Sequence, residues 1–331
     1  MDNEKLNIDT IIDKSNVAVL IPCYNEQQTI AKVIKDFKKE LPNAQIYVYD
    51  NNSTDDTYKI AKECGAIVRP EPRQGKGNVV RQMHRDIDAD YYIMVDGDDT
   101  YPANQARQLL SPLIDGSADM TVGDRLSNGT YGSENDRAFH GFGNNLVRWL
   151  IKVIYRYEYT DVMTGYRAYN RSFAKTFPIL STGFQIETEM SIHAVDKNWK
   201  IKQVPITYRN RPKGSESKLS TFKDGFKVLL LIVQLFKEYK PFALFTLLSF
   251  IFILVGLIEG IPVVGEFINT GLVPRLPTAL LAVALVGIGF VNFITGCILS
   301  SIIKGQRKQY ELQVSNIYFE NTKLTIKKEL N

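Results

Sequence analysis

The chain has 331 residues and a net charge of only +4, with its Lys and Arg residues interleaved with acids through the first two thirds. That balance leaves no basic stripe, which argues against nucleic acid as a partner. The length suggests more than one structural unit, and Cys23, Cys64 and Cys297 lack metal-ligand spacing, so they read as reduced structural residues.

Residues 1–16 are polar and acidic with no apolar stretch of signal-peptide type, so no cleavable signal is expected to carry the first domain across a membrane. Val17 to Pro22 predicts a short strand stopped by proline, and Cys23-Tyr24-Asn25-Glu26 forms the loop beyond it. Thr29 to Leu41 predicts a helix with Ile30, Val33, Ile34, Phe37 and Leu41 on one face. Ile46 to Asp50 predicts a second strand ending in an acid, and Asn51 to Asp56 a loop that could cap the next helix. Strand, helix, strand, helix is the rhythm of a parallel sheet, which puts Asn25, Asp50 and Asp96 on loops along one edge.

Gly75-Lys76-Gly77 precedes a helix expected from Val79 to about Asp88. Exposed amides at a helix start beside a cation suit an anionic ligand, although the spacing is not that of a P-loop and a plain turn reads equally well. Tyr91 to Val95 is an apolar, β-prone run that ends in Asp96-Gly97-Asp98-Asp99. It predicts a buried strand delivering carboxylates to the sheet edge where open α/β folds bind ligands. Asp96 and Asp98, separated by the small, flexible Gly97, can turn toward one hard divalent cation that in turn holds a diphosphate. The blander alternative is a turn with solvated acids.

Asp119 to Arg125 predicts a further strand and its terminal loop, and the polar, glycine-rich stretch Leu126 to Gly143 a mobile loop. Leu146, Trp149, Leu150, Val153, Ile154 and Tyr157 then form a helical apolar stripe that could cover the sheet or lie in a membrane surface. Near the C-terminus, 242–265 and 278–303 are apolar runs long enough to cross a hydrocarbon core of roughly 30 Å. Lys237, Lys240, Lys304, Arg307 and Lys308 flank their outer ends, whereas the link carries Glu259, Glu266 and Arg275. The positive-inside rule then puts the N-terminal domain and the tail 305–331 in the cytoplasm, in a multi-pass protein of the cell membrane. Residues 221–240 read as an interfacial helix resting on an anionic leaflet.

Seven patterns in order resemble those of the family 2 glycosyltransferases, in the branch of dolichyl-phosphate mannose synthases and bacterial polyprenyl-phosphate glycosyltransferases. They are Ile21-Pro22-Cys23-Tyr24-Asn25-Glu26, Asp50-Asn51-Asn52-Ser53-Thr54-Asp55, Gly75-Lys76-Gly77, Asp96-Gly97-Asp98, Gly123-Asp124-Arg125, Asp161 to Arg167 and Gly214 to Leu219. The resemblance implies an α/β fold: a Rossmann-like, GT-A type nucleotide-sugar-binding domain with a mostly parallel sheet over 17–220, plus interfacial helices and two transmembrane helices within 241–304.

It further implies that Pro22, Asn25, Glu26, Asp50 and Ser53 surround the base and ribose and that Lys76 approaches the phosphates. Asp96 and Asp98 match the metal motif for Mg²⁺ or Mn²⁺, with Asp96 also facing the nucleotide. Arg125, Arg137, Arg211 and Lys218 match the cations that receive a lipid phosphate, and Asp161 would orient the sugar or an arginine. The implied catalytic set is Asp98, Asp161 and Arg125. Where many relatives continue Asp-Ala-Asp with Leu-Gln, this chain has Asp99-Thr100-Tyr101, and Asp99 could add to the metal shell or face water.

The implied reaction moves one sugar from a nucleoside-diphosphate sugar, UDP-glucose or UDP-N-acetylglucosamine before GDP-mannose, to undecaprenyl or dolichyl phosphate with inversion. An anionic phosphate needs no base to attack the anomeric carbon. A separate flippase and a downstream transferase are then expected, and two spans leave lipid-facing surface on which protomers could form a homo-oligomer. The rivals are a membrane glycosyltransferase extending a lipid-linked saccharide or diacylglycerol hydroxyl, which needs a carboxylate base, and a non-catalytic nucleotide-sugar-binding scaffold.

Overall fold

A computed structural model describes residues 2–127, 138–209 and 240–329. The chain divides into two compact units, residues 1–221 with 317–331, and residues 222–316.

The first unit is built on seven strands: β1 Val17–Cys23, β2 Gln45–Asp50, β3 Ile67–Pro70, β4 Tyr91–Met94, β5 Met120–Asp124, β6 Arg167–Asn170 and β7 Ile201–Pro205. They form one sheet in the order β3-β2-β1-β4-β6-β5-β7. β3, β2, β1 and β4 pair in parallel, as do β5 and β7, and β6 lies antiparallel between β4 and β5. The expected α/β fold with a mostly parallel sheet is therefore present. β1 has β2 on one side and β4 on the other, so the strand order reverses there and the loops leaving β1 and β4 open into one crevice.

Its helices are α1 Asp2–Lys14, α2 Ile30–Glu40, α3 Thr57–Glu63, α4 Lys76–Asp86, α5 Ala106–Ile114, α6 Ala138–Tyr155, α7 Arg171–Thr176 and α8 Ile186–Asp196. α2 buries the expected face, with Ile30, Val33, Ile34 and Phe37 joining Val19, Ile21 and Ile93 in the core. Each such side chain contributes roughly 1.5–3 kcal/mol when fully buried.

Four local expectations change. β1 runs through Pro22 to Cys23, because β4 pairs only as far as Leu20 and the side on which Pro22 lacks an N–H has no neighbouring strand left to serve. The polar N-terminal segment is the helix α1, which packs on α5; Ile12 is buried in the core, and Arg107 on α5 pairs with Asp9 and Asp13. α4 begins at Lys76 instead of Val79. α6 begins at Ala138, so the end of the stretch expected as loop is helical, and Val147 and Ile151 are its buried face.

The second unit holds α9 Pro241–Thr270 and the apolar part of α10 Leu276–Glu329, both long and apolar enough to cross a membrane. Ile261 and Val283 are 66% and 72% exposed, an arrangement suited to lipid contact and costly in water. The helices meet through small residues. A Cβ on Gly256 would lie 2.8 Å from Val286, and one on Gly289 2.5 Å from Ile253. The interfacial helix expected over 221–240 lies outside the described residues apart from Lys240.

Candidate active site

The acidic loop after β4 is held against the end of β1. A Cβ on Gly97 would lie 2.8 Å from Cys23 Sγ, so the bare glycine lets the loops close, and Thr29 Oγ1 donates to the Gly97 carbonyl at 2.7 Å. The residue expected to be a flexible spacer is thus a close contact. Asp98 is buried, its Oδ1 accepting from Thr100 N and Oγ1 at 3.2 and 2.6 Å. Asp96 is 28% exposed, with Oδ1 accepting from Lys76 Nζ at 2.5 Å. A Cβ on Gly165 would lie 2.5 Å from the other oxygen, so that glycine's bare Cα walls the carboxylate. Asp99, at φ 59°, pairs with Lys32 at 2.6 Å and Arg209 at 3.4 Å instead of simply facing water.

Among the described residues no three His, Cys, Asp or Glu side chains cluster in a way that could hold a metal. The two acids of the expected metal motif, Asp96 and Asp98, would by themselves supply oxygen ligands only and fewer than a full shell. That fits a hard cation whose other ligands are phosphate oxygens and water.

Lys76 is buried between two acids, Asp96 and Glu187, the latter on the first turn of α8 and itself buried. Burial opposes the charge on Lys76, but the two carboxylates outweigh it and hold the pKa above the usual lysine value. The flanking glycines serve packing. A Cβ on Gly75, whose φ is 121°, would strike the Thr182 carbonyl, and one on Gly77 the Ser181 carbonyl. The Gly77 and Asn78 amides donate to Thr182 O at 3.1 and 3.4 Å, so the helix start expected to present bare amides is capped by this carbonyl.

Arg125, after β5, forms a two-pronged pair with the fully buried Asp161: Nε donates to Oδ2 at 2.6 Å and Nη2 to Oδ1 at 3.0 Å. An arginine, one of the two partners expected for Asp161, is thus the one it meets here. Arg125 also donates to Tyr101 Oη at 3.4 Å and lies over the Tyr208 ring. The same Tyr101 oxygen accepts from Gly165 N at 3.0 Å, so this pair is connected to the wall behind Asp96.

The loops after β1 and β2 interlock. Asn25, at φ 54°, donates its N–H to Ser53 Oγ at 2.9 Å and accepts from Thr54 N at 2.8 Å, while Glu26 N donates to Thr57 Oγ1 at 2.8 Å. Asp50 Oδ2 accepts from Ser53 N at 3.2 Å, but Oδ1 is buried without a hydrogen-bond partner in the structure. An unpaired buried carboxylate oxygen costs about 1–3 kcal/mol or more, so it marks where a ligand's donor would be welcome. Pro22, half-buried on β1, stands opposite Tyr49.

Pro22, Asn25, Glu26, Asp50, Ser53, Lys76, Asp96, Asp98, Arg125 and Asp161 thus lie on or beside loops of one sheet. Arg137, Arg211 and Lys218 lie outside the described residues. The sequence reading missed Tyr101, Gly165 and Glu187. Gly165 and Tyr101 stood inside or next to motifs already singled out, whereas nothing local to Glu187 distinguishes it from an ordinary acid in a helix's first turn.

The family model described as Glycosyl transferase family 2 matches residues 18–177. The chain is 35% identical to glycosyltransferase AglJ of Haloferax volcanii over 76% of its own length and 82% of that protein's. It is 30% identical to a dolichyl-phosphate hexose transferase of the same organism, over 67% of its own length and 95% of that protein's. Among solved structures, glucosyl-3-phosphoglycerate synthase from Mycobacterium tuberculosis, in complex with Mn²⁺, UDP-glucose and phosphoglyceric acid, superposes with a TM-score of 0.55. That match has 22% identity and covers 70% of this chain and 82% of the other, which is a likeness of fold.

Proposed function

The chain belongs to glycosyl transferase family 2 and is a nucleotide-sugar glycosyltransferase, and from that premise we propose that it moves one hexose onto a polyprenyl phosphate at the cytoplasmic membrane face. The observation that carries the choice of acceptor is the Arg125–Asp161 pair. An acceptor hydroxyl would need a carboxylate free to take its proton, and Asp161 is fully buried with both oxygens engaged by one guanidinium. An acceptor phosphate arrives already anionic and asks for a cation held in a fixed place. The dolichyl-phosphate hexose transferase relative and the two apolar helices support the same reading.

Asp50, with its unpaired oxygen, would accept from the base or ribose, with Pro22, Asn25, Glu26 and Ser53 shaping that pocket. Asp96 and Asp98 would hold Mg²⁺ or Mn²⁺, which when bound neutralises charge on the departing diphosphate. Mn²⁺ in the mycobacterial enzyme of the same fold supports a divalent cation of this kind. Lys76 would add its charge beside the phosphates. Arg125, fixed by Asp161 and Tyr101, would orient the acceptor phosphate, with Arg137, Arg211 and Lys218 as further cations. The acceptor oxygen then attacks the anomeric carbon as the bond to the nucleoside diphosphate breaks, and the diphosphate leaves with the electron pair, inverting the centre. UDP-glucose and UDP-N-acetylglucosamine are the favoured donors, with GDP-mannose third.

Radiolabelled sugar offered from each donor to undecaprenyl phosphate in detergent, with Mg²⁺ and with EDTA, tests this function. Metal-dependent label in the lipid phase from one donor is expected. Label appearing only on a saccharide or diacylglycerol hydroxyl would overturn the acceptor assignment.

A further inference from the structure

We propose that Glu187 is a positioning residue that keeps Lys76 exchangeable between Asp96 and the donor's diphosphate, and thereby sets how readily Asp96 takes a divalent cation. The inference rests on the reading of Asp96 as a metal-holding acid.

A lysine buried against Asp96 alone would form a closed one-to-one pair. A cation claiming Asp96 would then strand a buried ammonium without a counter-charge, which low-dielectric surroundings strongly disfavour. Glu187 removes that penalty by giving Lys76 a partner it keeps when Asp96 is taken. The two sides of the lysine are unequal in the way exchange requires: Asp96 is 28% exposed and Glu187 only 6%. Traffic therefore belongs on the Asp96 side. Lys76 and its two acids sum to −1, and losing Glu187 moves that sum one unit toward positive, which makes the surroundings of Asp96 less attractive to a cation.

The pairing is built into the backbone. The stretch 179–183 that leads into α8 also caps the start of α4, so it carries Glu187 and holds Lys76 at once. Glu189 accepts from Leu180 N and Ser181 N at 2.9 and 3.0 Å, and Arg81 donates to the carbonyls of Ile179, Leu180 and Ser181 at 2.8, 3.1 and 3.2 Å. Glycines at 75 and 77 let this stretch approach closely enough for the two side chains to meet. Lys76 is the ion-pair partner of Glu187 at contact distance, and the fully buried Arg167 is a second cation that feels the same acid's charge.

The test titrates Mn²⁺, followed by electron paramagnetic resonance, into the full-length chain in detergent with saturating UDP, and in parallel with GDP. Glu187→Gln is expected to weaken nucleotide-dependent Mn²⁺ binding about tenfold, and Glu187→Asp to recover most of it. Adding Lys76→Met to Glu187→Gln restores the charge to −1 and removes the competitor, so Mn²⁺ affinity should return to within about threefold of wild type. A merely structural glutamate would not be rescued by a second substitution. Unchanged Mn²⁺ binding in Glu187→Gln, or no rescue by Lys76→Met, overturns the inference alone. A wild-type chain with no nucleotide-dependent Mn²⁺ binding would take down the metal assignment and this inference together.

Discussion

Two buried charge clusters adjoin the crevice, and they are built differently. Arg125 and Asp161 form a closed pair: a planar fork, two parallel hydrogen bonds, a fully buried carboxylate and a tyrosine on each of two sides. Lys76 is a point charge shared by two acids, one of them open to solvent. The forked pair has one geometry and can only position, whereas the shared lysine can change partners without leaving a charge stranded. That difference matches the two demands of the proposed transfer of a sugar to a phosphate. One anion must be held still while the charge on another is being redistributed.

The largest effect is expected where the closed pair is broken. Asp161→Asn leaves a buried guanidinium without its counter-charge, a loss of about 3–5 kcal/mol, so the thermal midpoint in detergent should fall steeply along with turnover. Arg125→Met combined with Asp161→Leu should recover most of the stability and none of the turnover. Asp161→Asn that melts like wild type and binds nucleotide, yet transfers nothing, would make Asp161 a base and favour a hydroxyl acceptor. Next in size is Asp98→Ala at the open site, where turnover should drop roughly 100-fold or more, about 2.7 kcal/mol, with the fold retained. Turnover close to wild type would favour the non-catalytic scaffold.

Acid probes a third kind of buried polar group. His84, bonded to Tyr169 Oη at 2.7 Å, and His193, packed against Phe177, are each pushed down to about 3 first by burial and then by a nearby lysine. Because both folded values lie below the unfolded value near 6.5, the unfolded chain takes up protons first as pH falls. Their share of stability is intact above about pH 6.5 and drains away toward 3, by about 2 kcal/mol per histidine at pH 5. Scanning fluorimetry from pH 7.5 to 5 should find this loss in wild type and much less in His84→Gln/His193→Gln; equal losses would assign it to the charge clusters. The smallest effect belongs to Asp99→Asn, whose partners Lys32 and Arg209 are about half exposed, so stability should change by about 1 kcal/mol or less.

β1, β2, β4 and β5 were legible because each is an apolar run that ends where a polar loop begins, and α2 carries its buried face at helical spacing; β3, β6 and β7, with Arg69, Arg167 and Lys202 among so few residues, carry no such run and were not read as strands. The acids at the strand ends were legible for the same reason. α1 was not, because its acids and lysines outweigh Ile8 and Ile12, whose four-residue spacing was the only sign of a packed face. Gly75-Lys76-Gly77 was legible as a special loop but not as a packing device, since the Thr182 carbonyl that caps it lies about a hundred residues on in the chain. Glu187 reaches Lys76 only through tertiary packing, and no local pattern announces such a meeting.

In the proposed transfer a negative charge already present on the acceptor takes the place of a catalytic base. The most direct measurement compares undecaprenyl phosphate with undecaprenol, the same chain bearing a hydroxyl, as acceptors for labelled sugar under identical metal and donor conditions. Label confined to the phosphate is the predicted result, and comparable label on the alcohol would contradict the account.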